Sequence, residues 1–219
     1  MKKGFGKMIA LGMTLIMAMQ MAACGSAMTE EQAANYTEAY LSVICTGENT
    51  TDTKLDQTVT EELQSQREEM LSTAATEMGL DVSDASEEIN TQMAECMDKM
   101  MQAASYDVGE ATKDEDNFQV SVTVHPINIG ESLDLDAITT QVMELAFSGD
   151  FDLTDEDALT DAMYELIIEQ LSTAMEAPAY ADDYEMTMTL EKVDGDVYDI
   201  SEESASEFGE HIFDVSGLE

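Results

Sequence analysis

The chain has 219 residues, 48 of them acidic and eight of them lysine or arginine, which gives a formal net charge of −40 at pH 7. Because proteins bind nucleic acid through cations that release phosphate counterions, this charge excludes DNA and RNA as partners. It favours solubility and attracts cations or basic partners. Apolar residues form 44% of the chain and recur periodically, so the composition is not that of a disordered acidic protein.

The first 23 residues are organised like a secretory signal. Lys2, Lys3 and Lys7 form a basic start, and the twelve residues 8–19 (MIALGMTLIMAM) carry no charge. A transmembrane helix needs about 20 apolar residues, so this run is too short to span a bilayer and has the length of a signal-peptide core. The pattern predicts export by the general secretory route.

A short motif, Met21-Ala22-Ala23-Cys24, closes this segment. It resembles the lipobox of bacterial lipoprotein precursors, in which small residues precede a cysteine. The resemblance implies that Cys24 becomes the mature N-terminus and carries diacylglycerol on its sulfur, with residues 24–28 as a short tether. Two or more acyl chains would anchor the protein stably at the outer face of the cell membrane. The alternative is an ordinary cleaved signal with an incidental cysteine.

The remainder, residues 29–219, is predicted to form a single acidic α+β domain in the extracytoplasmic space. Once residues 1–23 are removed, five basic residues remain against 48 acidic ones, a net charge of −43. Such a charge also disfavours contact with anionic lipid surfaces. A chain of this length can bury a substantial core without disulfides or metals.

Three helices are predicted at the start of this domain. The first begins with the capping box Thr29-x-x-Gln32 and ends at Gly47; the second ends at Gly79, and the third begins near Asp84. Their apolar residues recur at helical spacing: Tyr36, Tyr40, Val43 and Ile44 in the first; Leu55, Val59, Leu63, Met70, Ala74 and Met78 in the second; Val82, Ala85, Ile89, Met93, Cys96, Met97, Met100 and Ala104 in the third.

Three strands are predicted from alternating patterns. Residues 118–124 (FQVSVTV) alternate apolar and polar side chains up to Pro126, which should lie at a sheet edge or outside the sheet. Residues 184–190 alternate in the same way. Asp194-Gly195 is a strong hairpin signal, and residues 197–200 form the return strand.

Three further helices are predicted from the spacing of Leu135, Ile138, Val142 and Leu145; of Leu159, Ala162, Met163, Leu166, Ile167 and Met175; and of Ala205, Phe208, Ile212 and Val215. The order is therefore ααα-β-αα-ββ-α. We predict an α+β fold in which about six helices pack a small antiparallel sheet of about three strands. Residues 105–116 (SYDVGEATKDED) are interpreted as a loop, and as the best boundary if two lobes exist.

The predicted hairpin LEKVDGDVYDIS resembles the closing strands of small extracytoplasmic Firmicutes lipoprotein domains of unknown function, with folds like nuclear transport factor two or cystatin. Tyr198 stands where many of them have tryptophan. The strand VTVHPINI resembles a strand of one such domain. The resemblance implies a binding or interaction domain and supplies no catalytic residues.

The residues that could perform catalysis are scattered. His125 and His211 are the only histidines, and the sequence has no G-x-S-x-G elbow, H-E-x-x-H motif or P-loop. Either histidine could form a dyad with Cys45 or Cys96, but we interpret His125 as a polar surface residue and His211 as a helix-flank residue. Paired carboxylates for hydrolysis arise easily among 48 acids. We predict no catalytic residue, with a carboxylate hydrolase as the alternative.

A weak calcium site is a further hypothesis. Asp150, Asp152, Thr154 and Asp161 occupy positions 1, 3, 5 and 12 of an EF-hand-like template, although position 6 is Asp155 instead of glycine. The alternative is a helix start whose acids interact favourably with the helix dipole. We predict no other cofactor.

The sulfur-bearing residues allow two interpretations. Cys45 and Cys96 could form a disulfide in an exported protein, or could be buried free thiols. Met93, Cys96, Met97, Met100 and Met101 have ligand types suited to Cu(I), but their spacing is also that of an apolar helix face, which we favour. The sequence as a whole predicts a membrane-anchored lipoprotein that binds a cationic ligand or a basic protein partner without catalysing a reaction.

Overall fold

The computed structural model describes residues 28–77, 80, 82, 85–148, 156–194 and 197–216. Its helices are α1 (Glu30–Thr46), α2 (Gln57–Glu77), α3 (Glu87–Gln102), α4 (Ile129–Ser132), α5 (Leu135–Ser148), α6 (Glu156–Ala174) and α7 (Glu202–His211). Its strands are β1 (Ser105–Asp114), β2 (Asn117–His125), β3 (Ile127–Asn128), β4 (Tyr184–Asp194), β5 (Val197–Ile200) and β6 (Phe213–Asp214). The α+β class is confirmed, and the predicted order is confirmed approximately.

Helix α1 forms as predicted because both of its ends are capped. The Thr29 hydroxyl accepts a hydrogen bond from the Gln32 backbone N–H at 3.3 Å, and the Gln32 side chain accepts one from the Thr29 backbone N–H at 2.9 Å. Gly47 takes a left-handed conformation (φ 78°), which glycine adopts without steric cost, and its N–H reaches the Val43 carbonyl at 2.8 Å.

The strands form two sheets in the described residues. Four antiparallel strands lie in the order β1-β2-β4-β5, and β3 and β6 form a separate parallel pair. The alternating patterns that predicted β2, β4 and β5 are confirmed. The turn at Gly195 lies outside the described residues, although β4 and β5 pair antiparallel as a hairpin requires.

The interpretation of residues 105–116 as a loop is wrong. Residues 105–114 form β1, which pairs with β2 across a turn at Glu115 and Asp116. Two residues of β1, Gly109 and Glu110, lie opposite Ser121 alone, so the strand contains a bulge. The bulge shifts the alternation by one residue between Val108 and Ala111, which hides the period of two on which the prediction depends.

The contacts divide the chain into two compact units. Unit 1 contains the described residues up to Met70 together with residues 104–126 and 182–212, and unit 2 contains residues 71–103, 127–181 and 213–216 as far as they are described. The four-stranded sheet belongs to unit 1 and the β3–β6 pair to unit 2. The single domain proposed for residues 29–219 stays a prediction.

The core of unit 1 lies on one face of the four-stranded sheet. Helix α1 packs against β1 and β2, and α7 packs against β4. The Phe208 ring of α7 meets the Tyr106 ring of β1 edge-on, with centroids 6.0 Å apart. The buried side chains of the sheet alternate along the strands as predicted: Phe118, Val120, Val122, Val124, Met186, Met188, Leu190, Tyr198 and Ile200.

Unit 2 is mainly helical. Helix α6 packs against α3, α4 and α5. The predicted buried side of α6 is partly wrong, because Met163 is 37% exposed whereas Ala162, Ile168 and Leu171 are buried. Apolar residues surround much of this helix, so its sequence alone defines no single buried stripe.

Candidate functional site

The proposed lipid anchor lies outside the described residues. This applies to Cys24 and to the preceding Met21, Ala22 and Ala23. Among the residues that are described, no helix is long and apolar enough to cross a membrane.

The proposed calcium site lies mostly outside the described residues as well. Asp150, Asp152 and Thr154 are not described, but Asp161 lies on α6. Its Oδ1 accepts a hydrogen bond from the backbone N–H of Ser86, the N-cap residue of α3, at 3.0 Å. Asp161 therefore helps to join α6 to the start of α3. No group of three histidine, cysteine or acidic residues that could hold a metal occurs within the described ranges.

The methionine-rich face of α3 is part of the core of unit 2. All five residues considered as copper ligands are at most 1% exposed: Met93, Cys96, Met97, Met100 and Met101. The Cys96 thiol points toward the Ile168 carbonyl of α6, with sulfur and oxygen 4.0 Å apart. These contacts support the interpretation of this face as core.

Both cysteines of the described chain are buried free thiols, Cys45 in unit 1 and Cys96 in unit 2. Burial raises the pKa of Cys45 to about 12, although the nearby Arg67 guanidinium opposes this shift. Burial also raises the pKa of Cys96. Thiolates are the reactive form of cysteine, so neither residue has the character of a nucleophile. The geometry favours the free-thiol alternative, and a disulfide stays an untested prediction.

The most organised polar cluster joins three strands of unit 1 at one end of the sheet. His125 ends β2, Asp107 lies near the start of β1, and Asp183 directly precedes β4. The ring Nδ1 of His125 is 2.7 Å from Asp183 Oδ1, and Nε2 is 3.2 Å from Asp107 Oδ2. The histidine side chain is 24% exposed, whereas the aspartates are 82% (Asp107) and 62% (Asp183) exposed.

This arrangement favours the positively charged form of His125. Only the imidazolium can donate to a carboxylate from both ring nitrogens. The hydrogen bond to Asp183, followed by that to Asp107, raises the pKa of His125. In the imidazolium form both ring nitrogens carry protons, so neither is free to accept a proton from a nucleophile. The cluster therefore acts as an electrostatic clamp between the ends of β1, β2 and β4. His125 is a partly exposed polar residue, and the sequence did not reveal its two carboxylate partners.

His211 takes part in a different contact in the last turn of α7. Its ring lies flat on that of Tyr184, with centroids 3.5 Å apart, and its Nδ1 is 2.8 Å from the Glu207 carbonyl. The Tyr184 hydroxyl donates to Glu207 Oε1 at 2.8 Å, and this hydrogen bond raises the pKa of Tyr184. These contacts fix α7 on β4.

The second face of the four-stranded sheet is polar. Its side chains come from the alternate positions of the strands, among them Asp107, Ser121, Glu185, Thr187 and Glu191, which are exposed. Gln119 and Thr189 of the same face are hydrogen-bonded across β2 and β4 at 3.0 Å. We call this surface, which ends at His125, the polar sheet face, and it is the candidate binding surface of unit 1.

Unit 2 contains a shallow hollow of about 400 Å³ beside α6. Its acidic groups include Asp134, whose carboxylate already accepts from the Ala137 N–H at 2.8 Å at the start of α5. Its amides include Gln170, which accepts from the Asp134 N–H at 3.0 Å. These groups serve the local fold, so the hollow is a weaker candidate than the polar sheet face.

No protein-family model and no curated protein matches the chain. A crystal structure of YcdA, a candidate lipoprotein of Bacillus subtilis subsp. subtilis strain 168, is similar in fold. The TM-score is 0.59 at 18% sequence identity, and the match covers 83% of this chain. The chain covers 56% of the length of YcdA. At this identity the similarity concerns the fold alone.

Proposed function

We propose that the chain is an extracytoplasmic lipoprotein anchored to the cell membrane through Cys24. The observation that carries this proposal is the order of basic residues, short apolar run, small residues and cysteine in residues 1–24. The fold shared with YcdA is compatible with it. In this proposal residues 24–28 tether the acidic domain of residues 29–219.

The anchor is tested by the fate of Cys24. Mass spectrometry of the membrane fraction should find a mature chain that begins at Cys24 and carries acyl chains. Cys24→Ala should appear as unprocessed precursor or be released into the medium, whereas the neighbouring control Ser26→Ala should behave like the natural chain. Normal processing and membrane retention of Cys24→Ala would contradict the proposal.

We further infer that the anchored domain binds a basic protein partner or another cationic ligand and does not catalyse a reaction. The polar sheet face supports this inference because it exposes the carboxylates of Glu185 and Glu191, beyond that of Asp107, which His125 pairs. The net charge of −43 after residue 23 favours cationic partners over anionic ones. The raised thiol pKa values and the paired His125 fit a structural role for these groups.

Affinity capture with the full chain from solubilised membranes tests this inference. We expect the natural chain to capture a basic protein. The double variant Glu185→Lys with Glu191→Lys should no longer capture it. The matched pair Glu38→Lys with Glu62→Lys, which alters exposed glutamates on α1 and α2, should retain it. Recovery of nothing beyond an unrelated acidic control would contradict the inference. Turnover in a hydrolase screen that depended on a carboxylate pair would favour the enzymatic alternative.

Calcium binding at Asp150, Asp152, Thr154 and Asp161 is a narrower proposal, supported by the spacing of these oxygen ligands. It predicts that calcium raises the melting temperature more than magnesium or sodium at matched ionic strength, and that Asp152→Asn removes the difference. Equal effects of all three salts would mean that they only screen repulsion between acidic side chains.

A further inference from the structure

The start of α1 and the turn between β1 and β2 lie at the same end of unit 1. Glu30, the first residue of α1, accepts a hydrogen bond at Oε1 from the backbone N–H of Lys113 near the end of β1, at 3.0 Å. The turn at Glu115 and Asp116 follows directly. We call residues 29–31 and 113–117 together the tether pole.

The clamp around His125 lies at the opposite end of the same sheet. Strand β2 runs from Asn117 at the tether pole to His125, and its nine residues, at a rise of about 3.3 Å per step, place these two ends about 26 Å apart. Helix α1 has 17 residues and packs along β1, so it runs about 25 Å away from the tether pole. Unit 1 therefore has two distinct ends, separated by the length of its strands.

The proposed anchor fixes which end is nearest to the membrane. Cys24 and Met28 are four residues apart in the sequence. Even a fully extended chain of that length spans no more than about 14 Å between their Cα atoms. Met28 is only 5% exposed, so it is packed into unit 1, and Thr29 is held as the N-cap of α1. A lipid on Cys24 therefore holds the tether pole close to the headgroups.

The tether pole has a net negative charge. Its acidic residues outnumber its single lysine by five to one: Glu30, Glu31, Asp114, Glu115 and Asp116 against Lys113. Lys192, whose Nζ is 3.9 Å from Asp116 Oδ1, adds one positive charge beside it. Because salt at about 0.1 M screens exposed charges beyond about 10 Å, the charges of this pole dominate the interaction with the lipid surface.

From these observations we propose that the tether pole is the membrane-facing surface of unit 1, and that its negative charge holds the unit away from anionic headgroups. This inference rests on the proposed anchoring through Cys24. Beyond the anchor itself, the proposal specifies which end of unit 1 faces the membrane and how its distance from the bilayer depends on lipid charge. Unit 1 approaches a zwitterionic bilayer closely and is repelled from an anionic one at low salt.

Fluorescence quenching by nitroxide-labelled headgroups tests the proposal with the full, lipidated chain in vesicles. A fluorophore is placed on Glu31→Cys at the tether pole or on Glu185→Cys, about 20 Å farther along the strands. Both positions are exposed glutamates, so the two variants change the charge equally. Cys45 and Cys96 are each 1% exposed and should resist labelling, which the chain without an added cysteine checks.

We expect severalfold stronger quenching from position 31 than from position 185 in phosphatidylcholine vesicles. Quenching at 31 should fall in phosphatidylglycerol vesicles at low salt and recover at high salt. Asp114→Asn with Asp116→Asn should reduce that fall, whereas the far-end pair Glu48→Gln with Asp182→Asn should not.

Two results would overturn the proposal without contradicting the anchor. One is equal quenching at positions 31 and 185 in vesicle-bound protein. The other is quenching at position 31 that is the same in phosphatidylcholine and phosphatidylglycerol vesicles. Failure of the chain to float with vesicles, together with an unmodified Cys24, would overturn the anchor and the membrane-facing pole together. Flotation and quenching therefore separate the two failures.

Discussion

Replacing His125 with glutamine removes the positive charge between Asp107 and Asp183 but keeps a polar side chain. The pKa of His125 is raised in the folded state, above its usual value of about 6.5 in an unfolded chain. Folding therefore takes up protons, and the stability contributed by His125 is fully present below about pH 6.5. It is lost as the pH rises through the folded-state pKa. The glutamine variant should be destabilised most in mildly acidic solution.

The geometry sets the size of this effect. Exposed ion pairs contribute about 0.2–1 kcal/mol each. The pair with Asp183 has the shorter distance, 2.7 Å, and belongs at the upper end of that range, whereas the pair with Asp107 at 3.2 Å belongs lower. Together they give about 1 kcal/mol, which corresponds to a melting temperature lower by about 2–4 °C for a chain of this size.

Thermal melting of the natural chain and His125→Gln at about pH 5.5 and about pH 9, at one ionic strength, measures this effect. The difference should be present at the lower pH and nearly absent at the higher one. Asp183→Asn should reproduce part of it, whereas Asp182→Asn, which removes the neighbouring exposed carboxylate, should not. An equal loss of stability at both pH values would refute the reasoning, because it would show that the contribution of His125 does not depend on its charge.

Three further predictions concern the stability of unit 1 and the state of the cysteines. A Cβ on Gly109 would collide with the Ser121 hydroxyl, which donates to the Glu110 carbonyl at 3.2 Å. Because Ser121 is exposed, its hydroxyl can rotate away at the loss of that hydrogen bond, so Gly109→Ala should cost about 0.5–1.5 kcal/mol in denaturant unfolding, and clearly less in a Ser121→Ala background. Arg67 is 6% exposed and donates to two carbonyls at the end of α1. Arg67→Met should therefore lower the free energy of unfolding by about 1–3 kcal/mol. The control Lys54→Met, which removes an exposed charge, should change it little. In the chain acylated at Cys24, thiol titration should find two thiols, Cys45 and Cys96, that react only after denaturation. A mass that corresponds to one disulfide would contradict this expectation.

The sequence predicted those elements whose signals are local. The capping box at Thr29 and the glycine at position 47 delimit α1 within the helix itself, and the alternation in β2 and β4 follows from one buried face. Helix ends and strand periods of this kind require no knowledge of distant residues.

Strand β1 and the His125 clamp could not be predicted in the same way because both depend on pairing. The bulge at Gly109 and Glu110 interrupts the alternation of β1, and its many charged residues are typical of a loop. Pairing with β2 then places Ser105 opposite His125 and brings Asp107 within reach of the ring. Asp183 lies 58 residues from His125 in sequence, and only the pairing of β2 with β4 brings them together.

Several basic side chains of unit 1 make contacts within the fold, and this affects which ligands the acidic surface can bind. Arg67 of α2 is buried and donates to carbonyls at the end of α1. The Nζ of Lys113 lies 5.9 Å from the centroid of the Phe118 ring, and His125 bridges two aspartates. These cations stabilise the fold locally and neutralise little of the negative surface, so solvent cations or a partner must balance it. A basic partner would release those solvent cations on binding, and its affinity should fall steeply as ionic strength rises. A partner held by apolar contacts alone would bind with little dependence on salt, which makes the salt dependence the first property to measure once a partner is captured.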